Sequence, residues 1–277
     1  MKSFPANFSG YDSANRLSPF VEEFLSLLHY RELIVQLISR SVKTRYKRSF
    51  LGVAWTMINP LLTMGVLTLV FSGLFRFPAE NYALYVLSGL LLWNFFAQAT
   101  TAAMGDLIWS GGLITRVYFP KSVFPVAAVG TGLFNLLLAL VPYFIIALIL
   151  GAKITSAVLY LPIPILIATL FTLGVAMALS SVVVFFADVL PMYEIVLTAW
   201  LYLTPIIYPI DLVPEPIQVV LRFNPLLPIV QAFRAPLYEG RPPDLSTLAY
   251  AFAVALIVLV LGWWMFTRKS REFATYV

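Results

Sequence analysis

The chain has 277 residues, 61% of them hydrophobic and only 11% charged, with a mean hydropathy of +0.90. A soluble domain is nearer half apolar and a quarter charged, and a water-soluble core could not hide this much apolar surface, so lipid is the expected solvent. The net charge is +5, with no cysteine and a single histidine, His29, which excludes disulfides, thiolate metal sites and multi-histidine metal centres.

Residues 1–19, "MKSFPANFSGYDSANRLSP", lack an apolar core of signal-peptide length. The N-terminus is therefore expected to be retained and to face the cytoplasm. Over residues 20–44, Phe20, Val21, Phe24, Leu25, Leu28, Leu33, Ile34, Leu37 and Ile38 recur at intervals of three and four, with Glu22, Glu23, Glu32, Gln36 and Arg40 between them. This is an amphipathic helical pattern with a break near His29. Basic residues at its C-terminal end favour a position on the inner membrane surface, the alternative being a helix packed on a soluble partner.

At 45–62, "RYKRSFLGVAWTMINPLL", dense positive charge runs straight into an apolar stretch. Arg45, Lys47 and Arg48 form a basic collar, Trp55 marks an interface, and Asn59-Pro60 interrupts the span that follows. A proline inside a span frees a carbonyl and permits a kink. The collar suits topology and lipid attraction, or contact with a phosphate-bearing substrate.

Six apolar stretches approach bilayer length, at about 54–75, 84–103, 123–150, 160–187, 192–209 and 247–267. A spanning helix needs about 20 residues. The runs are continuously apolar rather than alternating, which argues against a barrel. With these spans, 13 of the 18 Lys and Arg residues fall on one side and 5 on the other. The positive-inside rule makes the richer side cytoplasmic and puts both termini inside. The external segment 210–246 carries seven prolines and two apolar pieces too short to span, "IQVVLRF" and "LLPIVQAF". Pieces of this length read as re-entrant or interfacial, and irregular backbone at membrane depth survives only against protein or a wet cavity.

Catalytic signatures are absent. Lys2, Lys43, Lys121 and Lys269 each precede Ser or Thr, but no glycine stands before any of them, so no P-loop can form. Only Glu194 and Asp188 place carboxylates at the ends of spans, which disfavours ion-coupled secondary transport. Aromatic residues are abundant instead, at 15%. Trp263 and Trp264, beside Arg268 and Lys269, suit an interfacial belt. Tyr193, Trp200, Tyr202 and Tyr208 are spread along one span, where they could either pack or present faces and hydroxyls to sugar rings.

In order along the chain, Arg31-Glu32-Leu33, "RYKRSFLGVAWTMINPLL", "YFPK" (118–121), "LTPIIYP" (203–209) and "NPLLPIVQAFR" (224–234) resemble the membrane subunit of ABC-2-type polysaccharide exporters, which move lipid-linked O-antigen, teichoic acid or related glycans. The resemblance runs from about residue 30 to the C-terminus. It implies an all-α protein of the bacterial cytoplasmic (inner) membrane, with a cytoplasmic N-terminal part at 1–49 and a six-helix transmembrane domain at 50–277. Further implications are a homodimer above two P-loop ATPase subunits that hold ATP and Mg, with no cofactor on this chain and no nucleic-acid partner. A coupling loop is implied at about 104–122, with Asp106, Trp109, Arg116 and Lys121. Gate helices are implied at about 213–239, with Arg222, Asn224, Pro225 and Arg234. The glycan-path candidates are Arg45, Lys47, Arg48, Trp55, Asn59, Trp93, Phe95, Tyr193, Trp200 and Tyr202. The rival readings are an ABC-2 exporter of drugs or small lipids, a secondary transporter, and a membrane-embedded enzyme or scaffold.

Overall fold

The computed structural model describes residues 19–47, 54–74, 79–109, 119–270, 272 and 273, and among them there is no strand. Helix α1 covers Pro19–His29 and α2 covers Arg31–Tyr46. The predicted break near His29 falls at Tyr30, whose φ of −89° and ψ of 19° leave the helical region. The apolar side of α1 sets Leu27 into a cluster with Phe124, Trp263 and Phe266. The next helix, α2, lies on the third long helix so closely that a Cβ at Gly130 would stand 2.6 Å from Ile38 Cδ1.

Among the described residues, five helices are long and apolar enough to cross a membrane. They are α3 (Ala54–Leu74), α4 (Ala79–Trp109), α5 (Val123–Ile149), α6 (Pro162–Val183, entered through a 3₁₀ turn at Ser156–Tyr160) and α10 (Leu245–Lys269). Helix α4 is the centre, nearly all interior, and packs against α3, α5 and α6. By contrast α3 packs by one side only, through Leu61, Met64, Leu67 and Phe71, and leaves Leu62, Val66, Leu69 and Leu74 exposed. It continues through Pro60 without losing its helical assignment.

Two segments differ from the sequence expectation. The stretch predicted as a span at 192–209 forms α7 (Val189–Tyr202), a helix of 14 residues, followed by turns at 203–208. At 1.5 Å per residue that helix is about 21 Å long, short of a ~30 Å hydrocarbon core. The run Leu203-Thr204-Pro205 explains the stop, because a proline biases the preceding residue away from helical backbone and brings no N–H to the ladder. Helix α4, for its part, runs past residue 103 to Trp109. The first part of the predicted coupling segment is thus helical, and 110–118 lie outside the described residues. The proline-rich segment forms α8 (Glu215–Arg222), α9 (Leu227–Arg234) and a π turn at Ala235–Glu239.

Candidate functional site

The α7–α9 region is fastened to the bundle by side chains that meet backbone carbonyls. Near its start helix α4 reads N-Y-A-L-Y-V-L-S-G over 81–89, so Tyr82, Tyr85 and Ser88 recur every three residues and share a face. Tyr82 Oη donates to Ile207 O at 2.8 Å, and Tyr85 Oη lies 2.9 Å from Tyr208 O and 3.2 Å from Pro205 O. From α5, Tyr143 Oη donates to Leu237 O at 2.9 Å. The turn at 203–208, which cannot satisfy its own carbonyls as a helix would, is thereby satisfied from the side.

Arg234, at the end of α9, completes this junction. It is buried, and its guanidinium carbon lies 3.8 Å over the Tyr85 ring. Nη1 donates to Pro205 O at 3.1 Å, Nη2 to Ile206 O at 3.4 Å and Nε to Ser88 Oγ at 3.4 Å. Among the described residues no carboxylate lies within ion-pair distance of it. The cation is held by carbonyl dipoles and an aromatic face, the arrangement a planar fork suits better than an ammonium. Gly89 makes the space, since a Cβ there would sit 2.7 Å from Arg234 Nη2 and 2.9 Å from Ile206 Cγ2.

Asn224 is a second hub. Its Oδ1 accepts from Trp200 Nε1 at 2.9 Å and from Leu226 N at 3.0 Å, while Nδ2 donates to Thr204 Oγ1 at 2.8 Å and Leu203 O at 3.1 Å. With Pro225 it makes the turn between α8 and α9 and binds that turn to the end of α7. Tyr202 is exposed, and its carbonyl accepts from Tyr208 Oη at 2.6 Å. Arg222 is exposed at the end of α8.

Three path candidates are interior. Trp93 and Phe95 are buried on α4, and Tyr193 is buried with its hydroxyl donating to Thr100 Oγ1 at 2.9 Å. Phe96, beside them, meets Phe171 at 5.7 Å and Trp200 at 5.2 Å. On α3, Trp55 and Asn59 are exposed, and the Asn59 carbonyl accepts from Thr63 Oγ1 at 3.0 Å. Lys47 is exposed just after α2, whereas the Arg45 side chain and Arg48 lie outside the described residues. The described candidates are therefore scattered over the exposed faces of α3, the end of α2 and the end of α7, and the packed interior of the bundle.

At the opposite end of the bundle, Lys121 Nζ donates to Ser270 O at 2.5 Å and lies 5.4 Å over the Phe273 ring. Burial pushes its pKa down, and the nearby Glu23 carboxylate opposes that shift. Glu23 itself accepts from Ser122 Oγ at 2.5 Å. Together these contacts join α1, the start of α5 and the end of α10. Asp106 lines a crevice of about 100 Å³ with Ser41, Gln98, Thr131 and Asn135. Trp109 is fully displayed at the end of α4, and Arg116 lies outside the described residues. Sequence reasoning passed over Tyr82, Tyr85, Ser88 and the amides of Gln98 and Asn135. The three-residue spacing of the first set was a usable signal, because polar side chains repeating on one face of an apolar helix need partners there.

The chain matches the family model described as ABC-2 type transporter over residues 32–238. It is 32% identical to the O-antigen export system permease protein RfbA of Myxococcus xanthus, across 90% of this chain and 96% of that protein. It is 27% identical to an O-antigen export system permease protein RfbA of Klebsiella pneumoniae, over 88% of this chain and 94% of that one. At 22% identity it is similar to the polysialic acid transport protein KpsM of Escherichia coli, over 86% of this chain and 94% of the relative.

Proposed function

The chain belongs to the ABC-2 type transporter family, and from that premise we propose that it is the membrane subunit of an ATP-driven exporter of lipid-linked cell-surface polysaccharide. Its place would be the bacterial cytoplasmic (inner) membrane. The observation that carries this reading is similarity over nearly the whole chain to permeases of O-antigen export, joined to five helices of membrane-spanning length.

The channel forms between two copies of this chain. The uncovered face of α3 supports that arrangement, since it carries Trp55 and Asn59 outward and packs little of its apolar surface internally. Two P-loop ATPase subunits sit on the cytoplasmic side and hold ATP and Mg. The exposed indole of Trp109 meets them. Both termini are cytoplasmic, α1 and α2 lie along the inner surface, and α7 contributes to the sixth crossing. Helices α8 and α9 re-enter from the outside as the gate, and their two hubs, Asn224 and Arg234, tie gate position to α7 and α4. Work done by ATP closure reaches the gate only through elements that contact differently in two states, and α4 is the element that joins the two ends. It extends from Trp109 at one end to the Tyr82, Tyr85 and Ser88 face at the other.

A chain with no phosphate-cradling loop cannot hydrolyse ATP alone. The purified chain is expected to show no ATPase activity above an empty-membrane control, and activity is expected only when an ATPase subunit is co-purified. Turnover by the isolated chain, measured as phosphate release, would overturn the subunit reading.

A further inference from the structure

Helices α8 and α9 and the start of α10 enclose an open cleft of about 590 Å³, within the size range of sites that hold small organic ligands. Buried Leu227 lies at its floor. Gln218 and Arg222 line it from α8, Gln231 from α9, Thr247 and Tyr250 from α10, and Asp211 from the 3₁₀ turn at Ile210–Leu212. The spacing of Gln218 and Arg222, four apart, places both on one face of α8. Ile217 and Val220 are exposed on the same helix and make it strongly two-sided.

What separates this cleft from its surroundings is uncommitted hydrogen-bonding capacity. Nearby polar groups are occupied: Asn224 makes four hydrogen bonds, Arg234 makes three, and Arg241 pairs with Glu239 and Asp244. Among the described residues, the side chains of Arg222, Gln231, Thr247 and Tyr250 make no hydrogen bond or ion pair with protein. They nevertheless converge on one space.

The residue types specify the ligand chemistry. The Arg222 guanidinium and the Gln231 amide present paired polar atoms, beside the Gln218 amide whose Nε2 donates to Val213 O, and such pairs fit adjacent hydroxyls on a ring. Tyr250 offers an aromatic face for the C–H side of such a ring and a hydroxyl at its edge. One carboxylate and one guanidinium leave the lining without net charge, which favours a neutral polyol over a phosphate. We propose that this cleft binds an uncharged, hydroxyl-rich stretch of sugar chain on the outer side of the membrane, holding the glycan after it passes the gate helices. The proposal rests on the polysaccharide-exporter reading and adds to it a site, with named residues, on the gate helices and the start of α10.

The test uses the permease–ATPase complex in nanodiscs of fixed phospholipid composition. The probe is short oligosaccharides cut from the delipidated surface polysaccharide of the strain carrying this chain. Titration followed by saturation-transfer NMR is expected to show saturable binding. Gln231→Ala and Arg222→Gln are each expected to weaken it about tenfold, the loss that follows from removing roughly one good hydrogen bond. Both side chains are exposed, so melting temperatures should match the parent complex and separate lost binding from lost folding. Absence of binding to the parent complex, or parental affinity in both variants, would overturn the site. Deleting the gene in the same strain distinguishes the two failures. Surface polysaccharide that disappears on deletion, with variants that bind normally, removes only the cleft. Polysaccharide that persists on deletion removes the exporter reading beneath it, and the proposal with it.

Discussion

Gly262→Ala is expected to destabilise the chain by about 3 kcal/mol, the upper end of what overpacking costs, and Gly262→Val by more. A Cβ on Gly262 would stand 2.0 Å from Gly174 O and 2.8 Å from Gly174 C. The obstacle is backbone, so no rotamer change can relieve it. The reverse holds as well, because a Cβ on Gly174 would meet Leu259 Cα and N at 2.6 Å. Helices α6 and α10 cross where each shows the other a glycine, and small residues at such crossings let backbones approach closely in lipid. Separating them would also loosen the neighbouring cluster, in which Met177 of α6 packs with Trp263 and Phe266 of α10. The expected readout is a sharply lower yield of folded chain from membranes and a lower melting temperature in detergent. Gly73→Ala is the control, since nothing lies within 4 Å of its added methyl, and it should stay within about 0.5 kcal/mol of the parent. Equal stability of Gly262→Ala and the parent would contradict the close crossing.

Arg234→Leu is expected to cost about 3 kcal/mol and to abolish export. The substitution leaves Ile206 O without its donor and removes one from Pro205 O. It also empties the site over the Tyr85 ring and places apolar atoms against Ser88. A buried polar group stripped of its partner costs about 1–3 kcal/mol, and two carbonyls and a hydroxyl are affected here. Arg234→Lys is expected to recover little, because an ammonium cannot span Ser88, Pro205 and Ile206 from one planar fork. Tyr85→Phe should cost about 1 kcal/mol, since its single hydroxyl proton serves either Tyr208 O or Pro205 O and the ring remains. Thermal unfolding of the purified chain and surface glycan in complemented cells measure the two effects. An Arg234→Lys chain with parental stability would contradict the fork.

The long apolar helices could be read directly, because an apolar run of bilayer length has few other uses. Helices α5, α6 and α10 fall where hydropathy put them, and the break between α1 and α2 lies within one residue of His29. Harder to read were features set by neighbours distant in sequence. Gly174 and Gly262 look ordinary in the chain, and only their adjacency makes them restrictive. Arg234 was assigned to a gate on resemblance, and its burial, enclosed by α4 and the turn at 203–208, depends on neighbours distant in sequence. Tyr193 and Trp200 could have lined or packed by composition alone, and their packing depends on Tyr193 reaching Thr100 and Trp200 reaching Phe96, both on α4. The shortness of α7 was legible in Pro205, but the apolar count through residue 209 outweighed it.

The central claim is that this chain carries lipid-linked polysaccharide out of the cell. Its most direct measurement is where that glycan resides after the gene is deleted, with surface and cytoplasmic-leaflet pools quantified in the same cells. The account predicts loss from the surface, accumulation of lipid-linked glycan on the cytoplasmic side, and restoration by the intact gene. Unchanged surface glycan, or loss without internal accumulation, would contradict it.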